Sequence, residues 1–235
     1  MALWAELRCC YSTPALRLLS AWWVLGALAG AYCENYGTNM FYEIDATADE
    51  NGHVTFVTRS LCCIAALAAI RAEAAVARAG AGVYAAGTAG AGLALASLAG
   101  AQRLLSAYAS YAAALTVLQF CTCVLYAQCA HALDDAAGDA APALPPPEAT
   151  EAPLADAPVR SGAPRGRLAV LFGANATAAL ALQTAVQAGA EAVRAPPRVQ
   201  FALLAWCVLT STCICGVAPS DAMCACAAMR LGWRR

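Results

Sequence analysis

Four stretches of this chain run for 20 residues or more without one charged side chain: Ala79–Ala101, Leu104–Ala130, Leu168–Ala190 and Val199–Ala218. About 20 apolar residues in a helix cross the hydrocarbon core of a bilayer. Lipid offers no partner to a free N–H or C=O, so a chain that crosses it by such segments does so as helices. The charge content agrees. Only 12% of the 235 residues are charged and 61% are hydrophobic, where a soluble domain carries about 25% charged residues. These features predict an all-α, multi-pass transmembrane bundle.

Two further segments bring the expected number of spans to about six. Leu16–Cys33 is apolar apart from Arg17, which can snorkel to the interface. It reads as a first transmembrane helix or as a cleaved signal peptide ending at Ala29-Gly30-Ala31, the retained helix being preferred. A helix over residues 54–74 has Arg59 near one end and Arg71 and Glu73 near the other, where a charge costs less than at the centre.

The polar segments complete the layout. Residues 1–15 form a short cytosolic N-terminus. Residues 34–60 read as an extracytoplasmic acidic loop, with five carboxylates against Arg59, a turn signal at Asp49-Glu50-Asn51-Gly52 and a strand-like Val54–Thr58. The membrane block 61–130, with spans over 79–101 and 104–130, leads into 131–167. That segment has seven prolines and no aromatic residue, and it reads as a disordered acidic linker. A two-helix block at 168–218 (168–190 and 199–218), broken at Pro196-Pro197, precedes a cytosolic tail over 219–235. Six spans place both termini and the linker on the cytosolic side. A surface-lying 54–74 segment would reverse the linker.

Several motifs carry chemical possibilities. Gly26 and Gly30, and Gly82, Ala86 and Gly90, repeat at four-residue spacing, which lets helix backbones approach closely. An alanine-rich span produces the same spacing by chance. Thirteen cysteines include the pairs Cys9-Cys10, Cys62-Cys63, Cys121-x-Cys123, Cys213-x-Cys215 and Cys224-x-Cys226. Buried cysteine packs as a small hydrophobe, while Cys9, Cys10, Cys224 and Cys226 near membrane ends are candidates for S-palmitoylation. Cys33 could pair with Cys62 or Cys63. Cys-x-Cys is not zinc spacing and has no supporting histidine, so neither metal nor cofactor is expected. His131 with Asp134, Asp135 and Asp139 has adequate cation ligands but lies in the acidic linker, where a solvated charge run is the simpler reading. Asn175-Ala176-Thr177 is a glycosylation sequon inside a span, out of reach of the transferase. Gln183 and Gln187 share one helix face and either bond to a neighbouring helix or line a polar path.

Catalytic motifs are absent, with no nucleophile elbow, zinc-binding helix or phosphate loop, so the chain is not read as an enzyme. Net charge is −1 and no basic patch is interleaved with aromatics, which excludes nucleic acid as a partner. The partners left are the lipid bilayer and other membrane proteins, a second copy among them. Loop 34–60 displays Tyr36, Phe41 and Tyr42 and is the expected contact surface.

Alanine occupies 63 positions and lysine none, a composition of GC-rich coding. With the proline-rich linker dividing the spans into two sets, the layout resembles the multi-spanning envelope proteins of GC-rich herpesviruses or other GC-rich DNA viruses. The resemblance implies a non-enzymatic scaffold of the virion envelope and host membranes, acting in trafficking, egress or fusion control. The alternative is a small transporter or channel. Claudin and tetraspanin patterns are absent.

Overall fold

The computed structural model describes residues 2–79, 81–139 and 163–217. Within them the chain forms α1 (Ala2–Cys10), α2 (Pro14–Ile44), α3 (Asn51–Ala79), α4 (Ala81–Gly100), α5 (Leu104–Asp139), α6 (Ala163–Ala192) and α7 (Pro197–Val217). No described residue is in a strand, and the protein is an all-α membrane bundle. Five helices, α2 to α6, are long and apolar enough to cross a bilayer. α7 has 21 residues and is charge-free from Val199.

Local chemistry sets the helix ends. Thr13 caps α2 in extended backbone, its hydroxyl accepting the Leu16 N–H at 3.2 Å, and Pro14 takes the first turn, where no N–H is missed. At the far end the Asp45 carboxylate accepts the Thr47 N–H at 2.9 Å and its hydroxyl at 2.7 Å. These bonds hold the Asp45 carboxyl below its usual range. α6 closes with a Schellman pair: Ala195 N–H to Ala190 O at 2.9 Å and Arg194 N–H to Glu191 O at 3.0 Å. The pivot is Arg194 at φ 50°, a left-handed position normally given to glycine. Arg194→Gly should therefore stabilise the protein by about 1 kcal/mol, read as a higher melting temperature in detergent.

Residues 34–60 differ from the acidic loop expected. α2 continues to Ile44 and α3 begins at Asn51, leaving only six residues between them. The polar side chains of Glu34, Asn35, Asn39 and Glu43 face outward, while Gly37, Met40 and Phe41 turn inward at helical spacing. Val54–Thr58 is helical too. Val54 and Cys62 pack against the core at a helical period, with buried Thr58 between them, and this packing overrides strand propensity.

From α2 to α7 successive helices run antiparallel. The α2–α3, α4–α5 and α6–α7 corners share one end of the bundle, and the α3–α4 corner lies at the other. α5 is the hub, packing against α2, α3, α4 and α6, and α4 lies along α7. One core cluster, around Phe41, Tyr111 and Phe201, fills the end with the three corners. A second, around Trp22, Trp23 and Tyr84, fills the opposite end.

The close helix contacts use glycines other than those the spacing suggested. A Cβ on Gly37 would sit 2.6 Å from the Tyr111 ring, one on Gly92 would sit 2.7 Å from Leu209, and one on Gly87 would collide with the Cys121 sulfur. At Gly30, Gly82 and Gly90 it would meet nothing within 4 Å, and Gly26 has only an ordinary 3.8 Å contact with Thr122. Ala86 is exposed. The four-residue pattern of α4 thus marks an open face.

Candidate functional site

α2 and α3 both pack on α5 rather than on each other. A groove floored by α5 lies between them, and one ion pair bridges it: Arg59 Nη1 to Glu34 Oε1 at 2.6 Å. Its depth follows from the neighbours. α4 has 20 residues, so it is about 30 Å long, one hydrocarbon thickness. Tyr111 stands two turns into α5 and packs on Gly37, and Glu34 is nearly one turn deeper. Glu34 therefore lies about 15 Å along the bundle from the α4–α5 corner. The pair is not enclosed, since 37% of the Glu34 side chain and 57% of Arg59 remain accessible. Ionisable groups within membrane helices are costly in lipid, which makes this pair a candidate functional position.

Toward the corner end the polar contacts tie helices together. The Tyr32 hydroxyl donates to Gln200 Oε1, and Gln200 Nε2 donates to Ala195 O at 2.6 Å. Arg198 bonds Glu43 at 3.2 Å and donates to Ala101 O at 2.7 Å, covering the C-terminal carbonyls of α4. Tyr32 stacks on Tyr36, and Phe41 meets Tyr108 and Tyr111 edge-on.

Deeper still, a small cleft opens between α2, α4 and α5. Trp22, Gly26, Tyr84, Gly87, Thr88 and Cys121 are among its walls, which are almost wholly apolar. It encloses about 20 Å³, room for a single water-sized occupant. The Trp22 indole N–H and the Tyr84 hydroxyl are buried beside it without a hydrogen-bond partner. Such orphans are rare and costly in a finished core.

Other expected residues are placed as follows. Phe41 is 2% exposed and belongs to the core, so it is not a displayed contact; Tyr36 is half-buried, and only Tyr42, 52% exposed, faces outward. Amphipathic continuation of α2 turns Gly37, Met40 and Phe41 inward together. Cys10 is fully buried, with its thiol donating to Arg167 O at 3.5 Å, which removes it as an accessible acylation site. The side chain of Cys9, and Cys224 and Cys226 altogether, lie outside the described residues. Cys33, Cys62 and Cys63 are reduced, not bridged, and no cluster of metal ligands occurs among the described residues. Gln183 is buried, while Gln187 is partly exposed and donates to Glu191 of its own helix at 3.0 Å. The two do not form a shared path.

Two partnerships escaped sequence reasoning. His131 Nε2 meets Glu73 Oε1 at 2.6 Å across α5 and α3. The Tyr11 hydroxyl donates to Asn175 at 2.6 Å, so the sequon asparagine is a buried docking residue for the N-terminal segment. Both join residues more than 50 positions apart, and nothing local signals them.

The reduced folate carrier family model matches residues 1–137, more than half of the chain. That range covers α1 to α4 and all but the end of α5, and it includes Glu34, Arg59 and every residue lining the cleft. No curated protein and no solved structure matches the chain. The match overturns the envelope-scaffold reading, and nothing supports its viral setting, which rested on alanine-rich composition and layout. It favours the transporter alternative. The chain is a member of the reduced folate carrier family.

Proposed function

We propose that the protein is a carrier, not an enzyme, that moves a small organic anion across a membrane, with reduced folates the first substrates to test. The observation that carries this reading is the family match over residues 1–137, because that segment holds the Glu34–Arg59 pair between two membrane helices. Arg59 supplies a guanidinium whose planar fork suits a carboxylate. Glu34 balances that charge when no substrate is bound, and an arriving carboxylate takes its place at little net electrostatic cost. The closed apolar cleft fits a carrier between openings. It is too small for an organic solute, and separation of α2 from α4 and α5 would hydrate the Trp22 and Tyr84 donors. Carriers work by such rocking of packed helices around a site near the midplane.

Uptake of a radiolabelled reduced folate into proteoliposomes tests this. Arg59→Ala should cut uptake at least about tenfold, equivalent to about 1.4 kcal/mol. Arg59→Lys should recover part of it, and Gln187→Ala should leave it near the starting level. Uptake no greater than in protein-free liposomes, or unaltered in Arg59→Ala, would sink the proposal.

A further inference from the structure

Among the described side chains, the end of the bundle opposite the three corners carries Arg8, Arg17, Arg71, Arg78 and Arg167 against Glu6 and Glu73. Glu73 is already taken by His131; the side chains of Asp134, Asp135 and Asp139 lie outside the described residues. Three of these arginines converge. α1 ends against the first turns of α6, with the Cys10 thiol on Arg167 O at 3.5 Å and the Tyr11 hydroxyl on Asn175 at 2.6 Å. The Arg17 guanidinium folds back on the same turn and donates to Ser12 O at 3.3 Å. Arg8 stands two residues before Cys10, exposed on α1. α2 and α6, 31 and 30 residues long, both begin here, so two positive helix ends add to the three guanidiniums. Arg8 and Arg17 are exposed and Arg167 is half-buried, and none of them meets a carboxylate among the described residues.

We propose that this junction of α1, α2 and α6 binds the phosphorylated headgroup of an anionic phospholipid. Charge complementarity selects phosphate: a guanidinium fork takes its oxygens in pairs, and a helix N-terminus favours an anion. The surroundings select a lipid over a soluble phosphate. The junction lies at the ends of membrane-crossing helices, where headgroups sit. Trp4, 66% exposed on α1, is a residue type that settles at that interface. Ala21 on α2 and Ala169 and Gly173 on α6 are exposed next along the helices and leave a smooth surface for acyl chains. Basic pockets between membrane helices hold anionic headgroups in this way. A phosphate shared by Arg8, Arg17 and Arg167 ties three helices together, so the lipid secures the seat of α6 on α2. The site stands apart from the transport reading, since lipid binding is measured without any substrate.

The test is native mass spectrometry of the full chain in detergent, titrated with short-chain phosphatidylinositol phosphate or with phosphatidylcholine of the same acyl chains. The unaltered chain should hold the anionic lipid at least about tenfold more tightly than the neutral one. Arg8→Gln, Arg17→Gln and Arg167→Gln combined should lose at least about tenfold of that affinity. Arg71→Gln with Arg78→Gln, at the same end of the bundle, should keep it. Thermal unfolding in detergent shows whether each variant folds. Arg8→Gln alone, at an exposed position, should give a smaller loss in the same direction and serves if the triple variant does not fold. Equal affinity for the two lipids would overturn the proposal. So would equal losses in the two sets of variants, because the arginines would then act as diffuse charge and not as a site. Full displacement of the lipid by an equal concentration of free inositol phosphate would also overturn it, leaving a soluble phosphate as the ligand.

Discussion

Replacing Gly92 with leucine should separate α7 from α4 and lower the stability of the bundle by about 3 kcal/mol or more, the upper range for overpacking. Even a Cβ at this position would stand 2.7 Å from two Leu209 side-chain carbons and 3.3 Å from the Leu209 backbone nitrogen. A side chain can swing away, but the backbone nitrogen is fixed by α7's own hydrogen bonds. α4 and α7 share the most extensive helix contact in the protein, so the strain falls on a principal seam. Gly90→Leu is the matched control. It lies half a turn away on the same helix, and an added Cβ there meets nothing within 4 Å. Removing a helical glycine gains up to about 1 kcal/mol, so Gly90→Leu should be neutral or stabilising. Thermal unfolding in detergent checks both, and equal losses would show that α4 is not seated on α7 as described.

Phe41→Ala should cost about 3–5 kcal/mol, the usual range for emptying a buried aromatic site. The ring packs edge-on against Tyr108 at 4.7 Å and Tyr111 at 5.3 Å between centroids. Each such aromatic pair adds about 0.5–1.5 kcal/mol beyond area burial. The loss falls near the groove, because Tyr111 also supports Gly37. Tyr42→Ala, one residue on but outward-facing, should change stability by no more than about 0.5 kcal/mol. A Phe41→Ala protein that melts with the unaltered one would remove Phe41 from the core.

The contrast between these neighbours shows where the sequence is readable and where it is not. Length and apolarity suffice for the helical membrane class, and Leu104 opens both the expected span and α5. Pro196-Pro197 breaks the chain where α6 and α7 part, because proline cannot continue a helix interior. Polarity misleads at residues 34–44. A run of acids and asparagines has the composition of a loop, yet its inward face carries Gly37, Met40 and Phe41, and that face is enough to extend α2. The glycine pattern misleads in the opposite way. Spacing along α4 says which residues share a face, but its rotation, set by α5 and α7, decides which face is covered. Gly87 and Gly92 are at the seams, and Gly82 and Gly90 are not. The candidate site was the least legible part. Glu34 and Arg59 are separated by 25 positions and become neighbours only because α5 holds α2 and α3 apart at matching heights.

The helices are also unequal in length. α2 has 31 residues and α5 has 36, against 20 in α4. The longer two reach about 46 and 54 Å and the short one about 30 Å. The shortest of the membrane-spanning helices, α4, limits the bilayer that suits the protein. In a thicker, sterol-rich membrane the lipid must thin around α4, at a fraction of a kcal/mol per Å, while α2 and α5 project on either side. α4 therefore matches an ordinary hydrocarbon core of about 30 Å and falls a few Å short only in the thickest membranes.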